Sequence, residues 1–247
     1  MKIVLAGAGT AGHIEPALAV ADAWRKEFPS SQFEFVGTSN GLENTLVTAA
    51  GYKLTSIPKV TLPRSLKPNG LLAPLKFGQA LAKSRQIVKG AECVIGFGGY
   101  VSAPIYLAAA MRRIPFVIHE ANAVPGWANK FGAFLGGAMA VGKPVKGGKF
   151  KNAEVVGLPL KPAISSALDT AKSNWPVARS SAKAKLGITS SKPLLLIMGG
   201  SQGSAAINSI VASSLSALLL DFEILHSVGG KNQLPSASTG YQPVSYI

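Results

Sequence analysis

The stretch Gly7-Ala8-Gly9-Thr10-Ala11-Gly12-His13 constrains this chain more than any other. It follows the apolar run Ile3-Val4-Leu5-Ala6, which reads as a buried strand. It precedes Ala17 to Trp24, whose apolar spacing reads as a helix. A glycine-rich turn between strand and helix brings backbone N–H groups close to an anion at the positive end of the helix. The unit therefore predicts a phosphate or diphosphate ligand. The embedded His13 adds a group that moves a proton near neutral pH.

The same alternation continues. Strands are expected at Lys2–Ala6, Gln32–Val36, Lys53–Ile57, Glu92–Ile95 and Phe116–Ile118, with closing strands at Met139–Val141 and Glu154–Val156. Helices are expected at Ile14–Phe28, Gly41–Ala50, Gly70–Lys89, Val101–Met111 and Gly126–Phe134. Such βα alternation predicts a parallel sheet covered by helices on both faces, with ligands at the carboxyl ends of its strands.

From Gly157 to Ser191 the pattern lapses into prolines and serines, read as a linker with a variable helix. It then restarts, with strand Pro193–Met198, glycine loop Gly199-Gly200-Ser201-Gln202-Gly203-Ser204, helix Ala205–Leu220 and strand Phe222–Leu225. The expected division is residues 1–158, a linker at 159–191, and a second domain over 192–247. Too few residues follow the second loop for a doubly wound domain of ~100–150 residues. A truncated product or a fragment is the expectation.

Composition narrows the class. The 247 residues carry a net charge of +14. Between Asn44 and Ala91 there is no acidic residue, but Lys53, Lys59, Arg64, Lys67, Lys76, Lys83, Arg85 and Lys89 occur there. Such a field attracts phosphate ligands, nucleic acid or an anionic membrane; a merely solvated face is the rival reading. The single cysteine, Cys93, forms no internal disulfide and sits in an apolar run, which suits a buried residue of a reducing compartment. No secretory signal precedes the first strand, and no apolar run approaches the ~20 residues that span a bilayer.

Gly7-x-Gly9-x-x-Gly12 formally fits the dinucleotide fingerprint, yet the second strand ends Phe35-Val36-Gly37-Thr38 without the ribose-binding acid. Glu34 lies too early in that strand. A Walker loop is excluded because no Gly-Lys-Ser/Thr follows. A second glycine loop, Gly96-Phe97-Gly98-Gly99-Tyr100-Val101-Ser102, follows the fourth strand and is expected to converge with the first on one cleft. Tyr100 there is either a packing aromatic or a lining residue. His119-Glu120-Ala121-Asn122 ends the fifth strand, where α/β active sites sit. For Asn122 a structural cap competes with a ligand role.

In order, these motifs and His-Glu-x-Asn-x-x-x-Gly-x-x-Asn-Lys and Gly-Gly-Ser-Gln-Gly resemble the MurG family of peptidoglycan N-acetylglucosaminyltransferases. The resemblance runs from Met1 to about Ser204 and more loosely to Ile247. It implies a GT-B fold, an α/β architecture of two Rossmann-like doubly wound parallel-sheet domains, here with the second incomplete. It implies inverting transfer of GlcNAc from UDP-GlcNAc to the C4 hydroxyl of MurNAc in lipid I, at the cytoplasmic face of the bacterial plasma membrane. Neither a metal, a cofactor nor nucleic acid is implied.

By residue match, His13 and Glu120 are the catalytic candidates. Thr10, Ala11, Gly12, Asn122, Lys161, Ser201, Gln202, Gly203 and Ile247 would hold the donor. Gly9, Gly98, Gly99, Tyr100, His119 and Asn129 would line the acceptor side. Leu71, Leu72, Leu75, Lys76 and Phe77 would dock on anionic lipid, with an ordinary amphipathic helix as the rival.

Three departures stand out. Leu158 and Lys161 occupy positions where many relatives have Asn and Arg, so the planar guanidinium fork is lost. Ala121 replaces a common Gln. The family's later donor motif, Ser-Gly-Ala-x-Thr-x-x-Glu, is absent, so weak UDP-GlcNAc binding is expected of the chain as written. Another GT-B glycolipid transferase, and a nucleotide-binding Rossmann module without transferase activity, are the alternatives.

Overall fold

The computed structural model describes residues 1–59, 73–200 and 202–246. The chain divides into two compact units, Met1–Ser165 and Ser166–Ile247.

The first unit alternates β1 (Lys2–Gly7), α1 (Ala11–Glu27), β2 (Gln32–Gly37), α2 (Glu43–Ala49), β3 (Lys53–Ser56), α3 (Ala73–Ile87), β4 (Cys93–Gly98), α4 (Ser102–Met111), β5 (Phe116–Glu120), α5 (Trp127–Phe134), β6 (Ala138–Val141) and β7 (Glu154–Val155). All neighbours pair in parallel, in the order β3-β2-β1-β4-β5-β6-β7. The strand of each period-two pair decides its layer. Ile3 and Leu5 of β1 enter one buried cluster with Ile14, Leu18, Phe33 and Phe35. Val4 and Ala6 enter the other with Ile105, Tyr106 and Ile118. A sheet buried on both faces explains the continuous apolar runs of β1 and β4. The winding reverses between β1 and β4, so the loops leaving these two strands flank the switch point where doubly wound sheets bind ligands.

Helix α1 starts at Ala11, three residues before the expected Ile14, because Thr10 is extended (φ −139°, ψ 153°) and acts as its N-cap. Gly12 and His13 therefore lie in its first turn. Residues 60–72, with Leu71 and Leu72, lie outside the described residues. Leu75 and Lys76 of α3 are exposed, whereas Phe77 packs against the core. Cys93 is half-buried, and burial pushes its thiol pKa up.

The stretch expected as a linker with a variable helix holds two helices, α6 (Pro162–Ser173) and α7 (Trp175–Lys185). Its prolines open helices rather than break them. Pro162 begins α6, and Pro176 sits in the first turn of α7, where the missing N–H has no partner to lose. Asn174 caps α7, its side chain accepting from the Val177 N–H at 3.2 Å.

The second unit continues with β8 (Leu194–Met198), α8 (Ala205–Asp221), β9 (Glu223–Ser227) and β10 (Tyr241–Val244). Its three strands run parallel in the order β10-β9-β8, the same sequence of positions that opens the first sheet. Helix α8 covers one face through Ile207, Val211 and Leu215. Leu196 and Met198 are half-exposed. No helix among the described residues is long and apolar enough to cross a membrane.

Glu34 has a structural task. Lys2 and Lys53 approach its carboxylate at 3.1 and 3.0 Å, and the Thr55 hydroxyl donates to it at 2.7 Å. Burial raises its pKa, but the Thr55 hydrogen bond and the two lysines outweigh that and hold it below the usual value. A carboxylate with a depressed folded pKa stabilises the fold above its unfolded pKa and loses that contribution as pH falls through the folded one. The melting temperature should therefore drop as pH falls from about 5 to about 3. Glu34→Gln should melt lower at neutral pH and show a flatter acid limb in scanning calorimetry.

Candidate active site

The loops after β1 and β4 meet at close range. Gly99 has φ +85°, and a methyl group there would lie 2.4 Å from the Ala8 carbonyl oxygen. Gly98 has φ +96°, and a methyl there would lie 3.2 Å from His13 Nε2. Only glycine gives both the left-handed backbone and the approach. The two glycine loops thus converge on a cavity of about 250 Å³, lined in part by His13, Gly98, Gly99, Tyr100, Glu120 and Asn122. Trp127 and Asn129 of α5 also line it.

His13 is half-buried on the first turn of α1. Its Nδ1 lies 3.1 Å from the Ala8 carbonyl oxygen and 3.2 Å from Thr10 Oγ1. A carbonyl can only accept, so Nδ1 carries the proton in the neutral ring and Nε2 keeps its lone pair. Nε2 is the nitrogen beside Gly98, on the cavity side.

Glu120 ends β5 with both oxygens fully engaged. Oε1 accepts from the backbone N–H and the side-chain amide of Asn122, each at 2.9 Å. Oε2 accepts from the Gly126 N–H and from Asn129 Nδ2, each at 2.9 Å. Four donors use the lone-pair sites of a carboxylate. The catalytic role expected of Glu120 from the family match is thus at odds with its geometry. It is 3% exposed and organises the loop from Asn122 to Gly126, leaving no lone pair for a substrate proton. Asn122 caps no helix; Gly126 is the N-cap of α5.

Beneath Glu120 the network continues inward. The Tyr106 hydroxyl donates to Asn129 Oδ1 at 2.9 Å, and both residues are buried. Burial pushes the Tyr106 phenol pKa far above its usual value. Gly96 makes room for this ring, since a methyl there would lie 2.0 Å from the Tyr106 hydroxyl.

Two expected site residues, His119 of the acceptor side and Lys161 of the donor side, have partners within the protein. His119 is buried beside Phe97, and its Nε2 pairs with the Gly157 carbonyl at 3.0 Å rather than facing the cavity. Lys161 forms an ion pair with Glu15 of α1. Tyr100 is half-buried at the cavity rim, with the Lys59 ammonium 4.6 Å from its ring centroid. Lys59 forms no ion pair among the described residues, and the sequence from 44 to 91 has no acid to offer it.

The first loop is less open to anions than its glycines suggest. The Gly9 N–H donates to Glu43 Oε2 at 3.2 Å. The first turn of α1 has no acidic residue, and Thr10 makes no side-chain cap. Sequence reasoning singled out none of Glu43, Tyr106, Trp127 or Lys59 individually. The available signals were Gly37 and Gly41 just ahead of α2, and Gly96 in the strand that precedes the helix of Tyr106.

In the second unit the loop after β8 is closed by backbone contacts. Gly203 has φ +71°, and a methyl there would meet the Val228 carbonyl. Asn232 Nδ2 donates to the Gln202 and Val228 carbonyls at 3.1 and 2.7 Å. Buried His226 pairs with Asn208 Oδ1 and the Tyr241 hydroxyl at 3.1 and 3.0 Å. Ser201 and Ile247 lie outside the described residues. A larger cavity of about 500 Å³, lined by Trp175, Arg179 and Leu194 among others, sits at the amino end of β8, away from the glycine loop.

Removing the Tyr106 hydroxyl strands a buried Asn129 acceptor. Tyr106→Phe should cost about 1–3 kcal/mol in urea denaturation.

Comparison with known proteins adds to this geometry. Residues 3–140 match the model of the glycosyltransferase family 28 N-terminal domain. The UDP-N-acetylglucosamine–N-acetylmuramyl-(pentapeptide) pyrophosphoryl-undecaprenol N-acetylglucosamine transferase of Corynebacterium glutamicum is 43% identical over 255 residues, covering 100% of this chain and 67% of that protein. The Streptomyces coelicolor protein of the same name is 42% identical, covering 100% and 68%. Among solved structures, Acinetobacter baumannii MurG superposes with a TM-score of 0.63 at 26% identity, covering 98% of this chain and 66% of that one. The UDP-GlcNAc 2-epimerase of Neisseria meningitidis shares the fold alone, with a TM-score of 0.56 at 14% identity, covering 92% and 65%. The chain spans about two thirds of the length of these relatives.

Proposed function

This chain belongs to the MurG branch of glycosyltransferase family 28, and from that premise we propose that it serves inverting transfer of GlcNAc from UDP-GlcNAc to the C4 hydroxyl of MurNAc in lipid I. The products are lipid II and UDP. The observation that carries this reading is the mounting of His13, whose Nδ1 is anchored on Ala8 while the Nε2 lone pair is left on the cavity side.

In this reading the C4 hydroxyl gives its proton to His13 Nε2 as its oxygen attacks the anomeric carbon. The bond from that carbon to the UDP diphosphate breaks, and the electron pair leaves with UDP. Gly98, Gly99, Tyr100 and Asn129 bound the acceptor side, and Glu120 holds Asn122 and Asn129 in place. On the donor side, the first-turn N–H groups of Ala11 and Gly12, which the Thr10 side chain leaves uncapped, suit the charge that builds on the leaving diphosphate. The donor roles of Ser201, Gln202, Gly203 and Ile247 rest on the family match. Lys161 would reach a donor only by leaving Glu15.

Exposed Leu75 and Lys76, within the acid-free basic stretch, support docking at an anionic membrane surface, the cytoplasmic face of the plasma membrane. Phe77 belongs to the core-facing side of α3 and supports it less.

The test is transfer of labelled GlcNAc from UDP-GlcNAc to a short-chain lipid I analogue. The chain is assayed alone and with the C-terminal third of a MurG relative supplied in trans. Lipid I-dependent product in either arrangement carries the reading. Product on an unrelated glycolipid instead, or none in both arrangements, overturns it. His13→Ala should lower kcat by about 10²–10⁴-fold, with a much smaller change in KM for UDP-GlcNAc. Equal losses in both would remove His13 from the chemistry.

A further inference from the structure

Glu43 opens α2, yet its side chain is fully buried, 0% exposed, and turned toward the loop of a different βα unit. Oε1 accepts from the Thr38 backbone N–H at 2.7 Å and from the Thr38 hydroxyl at 2.8 Å. Oε2 accepts from the Gly9 N–H at 3.2 Å. The pocket for this carboxylate is made by missing side chains. A methyl on Gly37 would lie 2.4 Å from Glu43 Cγ, and one on Gly41 would lie 2.1 Å from Oε2.

Gly9 is the middle residue of the span that mounts the His13 ring. On one side Ala8 supplies the carbonyl that accepts a hydrogen bond from Nδ1–H. On the other, Thr10 supplies both the hydroxyl beside Nδ1 and the carbonyl that accepts the His13 backbone N–H at 3.1 Å. Gly9 itself has φ +91°, a conformation that needs an external hold because glycine has so many others available. Glu43 provides that hold from 34 residues away in sequence.

We propose that Glu43 is a positioning residue: its carboxylate pins the Gly9 N–H, and through Ala8 and Thr10 it fixes the His13 ring with Nδ1 protonated and Nε2 free. The proposal rests on the reading of His13 as the acceptor-side base, and gives that base its orienting group. It also reassigns the glycine loop. With the Gly9 N–H bound internally, this point of the loop serves as a mount for an imidazole, and a substrate diphosphate must find its donors elsewhere. Burial works against charge on Glu43, but hydrogen bonds from Thr38, from its own backbone N–H and, least, from Gly9 outweigh it and hold its pKa below the usual value, as an internal anion requires.

The test uses the tautomers of the three histidines, read by long-range 1H–15N correlation on the full chain at pH about 8, where free imidazoles are neutral. The wild type should show His13 as the Nδ1–H form. His119 and His226, whose Nε2 atoms face Gly157 O and Asn208 Oδ1, should show the Nε2–H form and act as internal controls. In Glu43→Gln, the amide oxygen keeps the Thr38 donors and the NH2 group opposes the Gly9 N–H. His13 should then become a mixture of tautomers while the controls stay fixed. Glu43→Asp, too short to reach both partners, should reproduce the shift if Glu43→Gln fails to fold. Thr38→Val, which leaves the Gly9 contact in place, should not move His13.

An unchanged His13 signal in Glu43→Gln or Glu43→Asp overturns the proposal, as does an equal shift in Thr38→Val. In the transfer assay Glu43→Gln should lose about tenfold in kcat, the scale of a misoriented group, at unchanged UDP affinity. A shifted tautomer with undiminished transfer would leave the mount standing and remove His13 from the chemistry, so the two ideas fail separately.

Discussion

The site depends on how closely two backbone turns approach each other. Gly99 lies against the Ala8 carbonyl at a distance no side chain allows, and Gly98 lies against the His13 ring. This contact ties the end of β4 to the end of β1 where the winding of the sheet reverses. It brings His13 and the β5 loop to one cavity. Any Cβ at Gly99 would push the loops apart, and the Ala8 carbonyl that anchors the imidazole would move with them.

Around this contact most polar groups are already paired with protein. Glu120 has four donors, Asn129 links it to Tyr106, His119 is held by Gly157, and Glu43 holds Gly9. Buried polar groups left unpaired cost more than paired ones contribute, so such networks are either complete or poorly stable. Completeness has a chemical effect too. It leaves few free groups at the surface of the cavity, His13 Nε2 and the rim cation Lys59 among them. Several carboxylates and imidazoles are present, but they are not interchangeable candidates for the same task.

The sheet of the first unit was legible because its strands are short apolar runs separated by glycine loops and amphipathic helices. Ile3 to Ala6, Phe33 to Val36 and Cys93 to Ile95 carry that signal directly. The segment after Gly157 was legible only as a linker with one variable helix, because its prolines and serines hide that Pro162 and Pro176 stand in the first turns of two helices. Strand β10 was missed since it is four residues long, contains Pro243 and sits at the sheet edge, where a missing N–H is tolerated. The glycine loops and His13 were readable as motifs. The partners of Glu43 and Glu120 were not, because spacing in sequence records which residues are near an active site but not whose lone pairs are already spent. Glu43 and Gly9 belong to successive βα units, and only the fold brings them together.

The acid-free run from residue 44 to 91 has a consequence for kinetics. A field of one sign steers an oppositely charged surface during diffusion, so it acts on the rate of encounter more than on the lifetime of the contact. Its reach shortens with ionic strength, to about 10 Å at 0.1 M salt. The lifetime of the proposed contact would fall instead to exposed apolar side chains such as Leu75, whose contribution salt does not screen. In the proposed docking, arrival and residence at an anionic surface would thereby be governed by different residues of the same stretch, and changing one need not change the other.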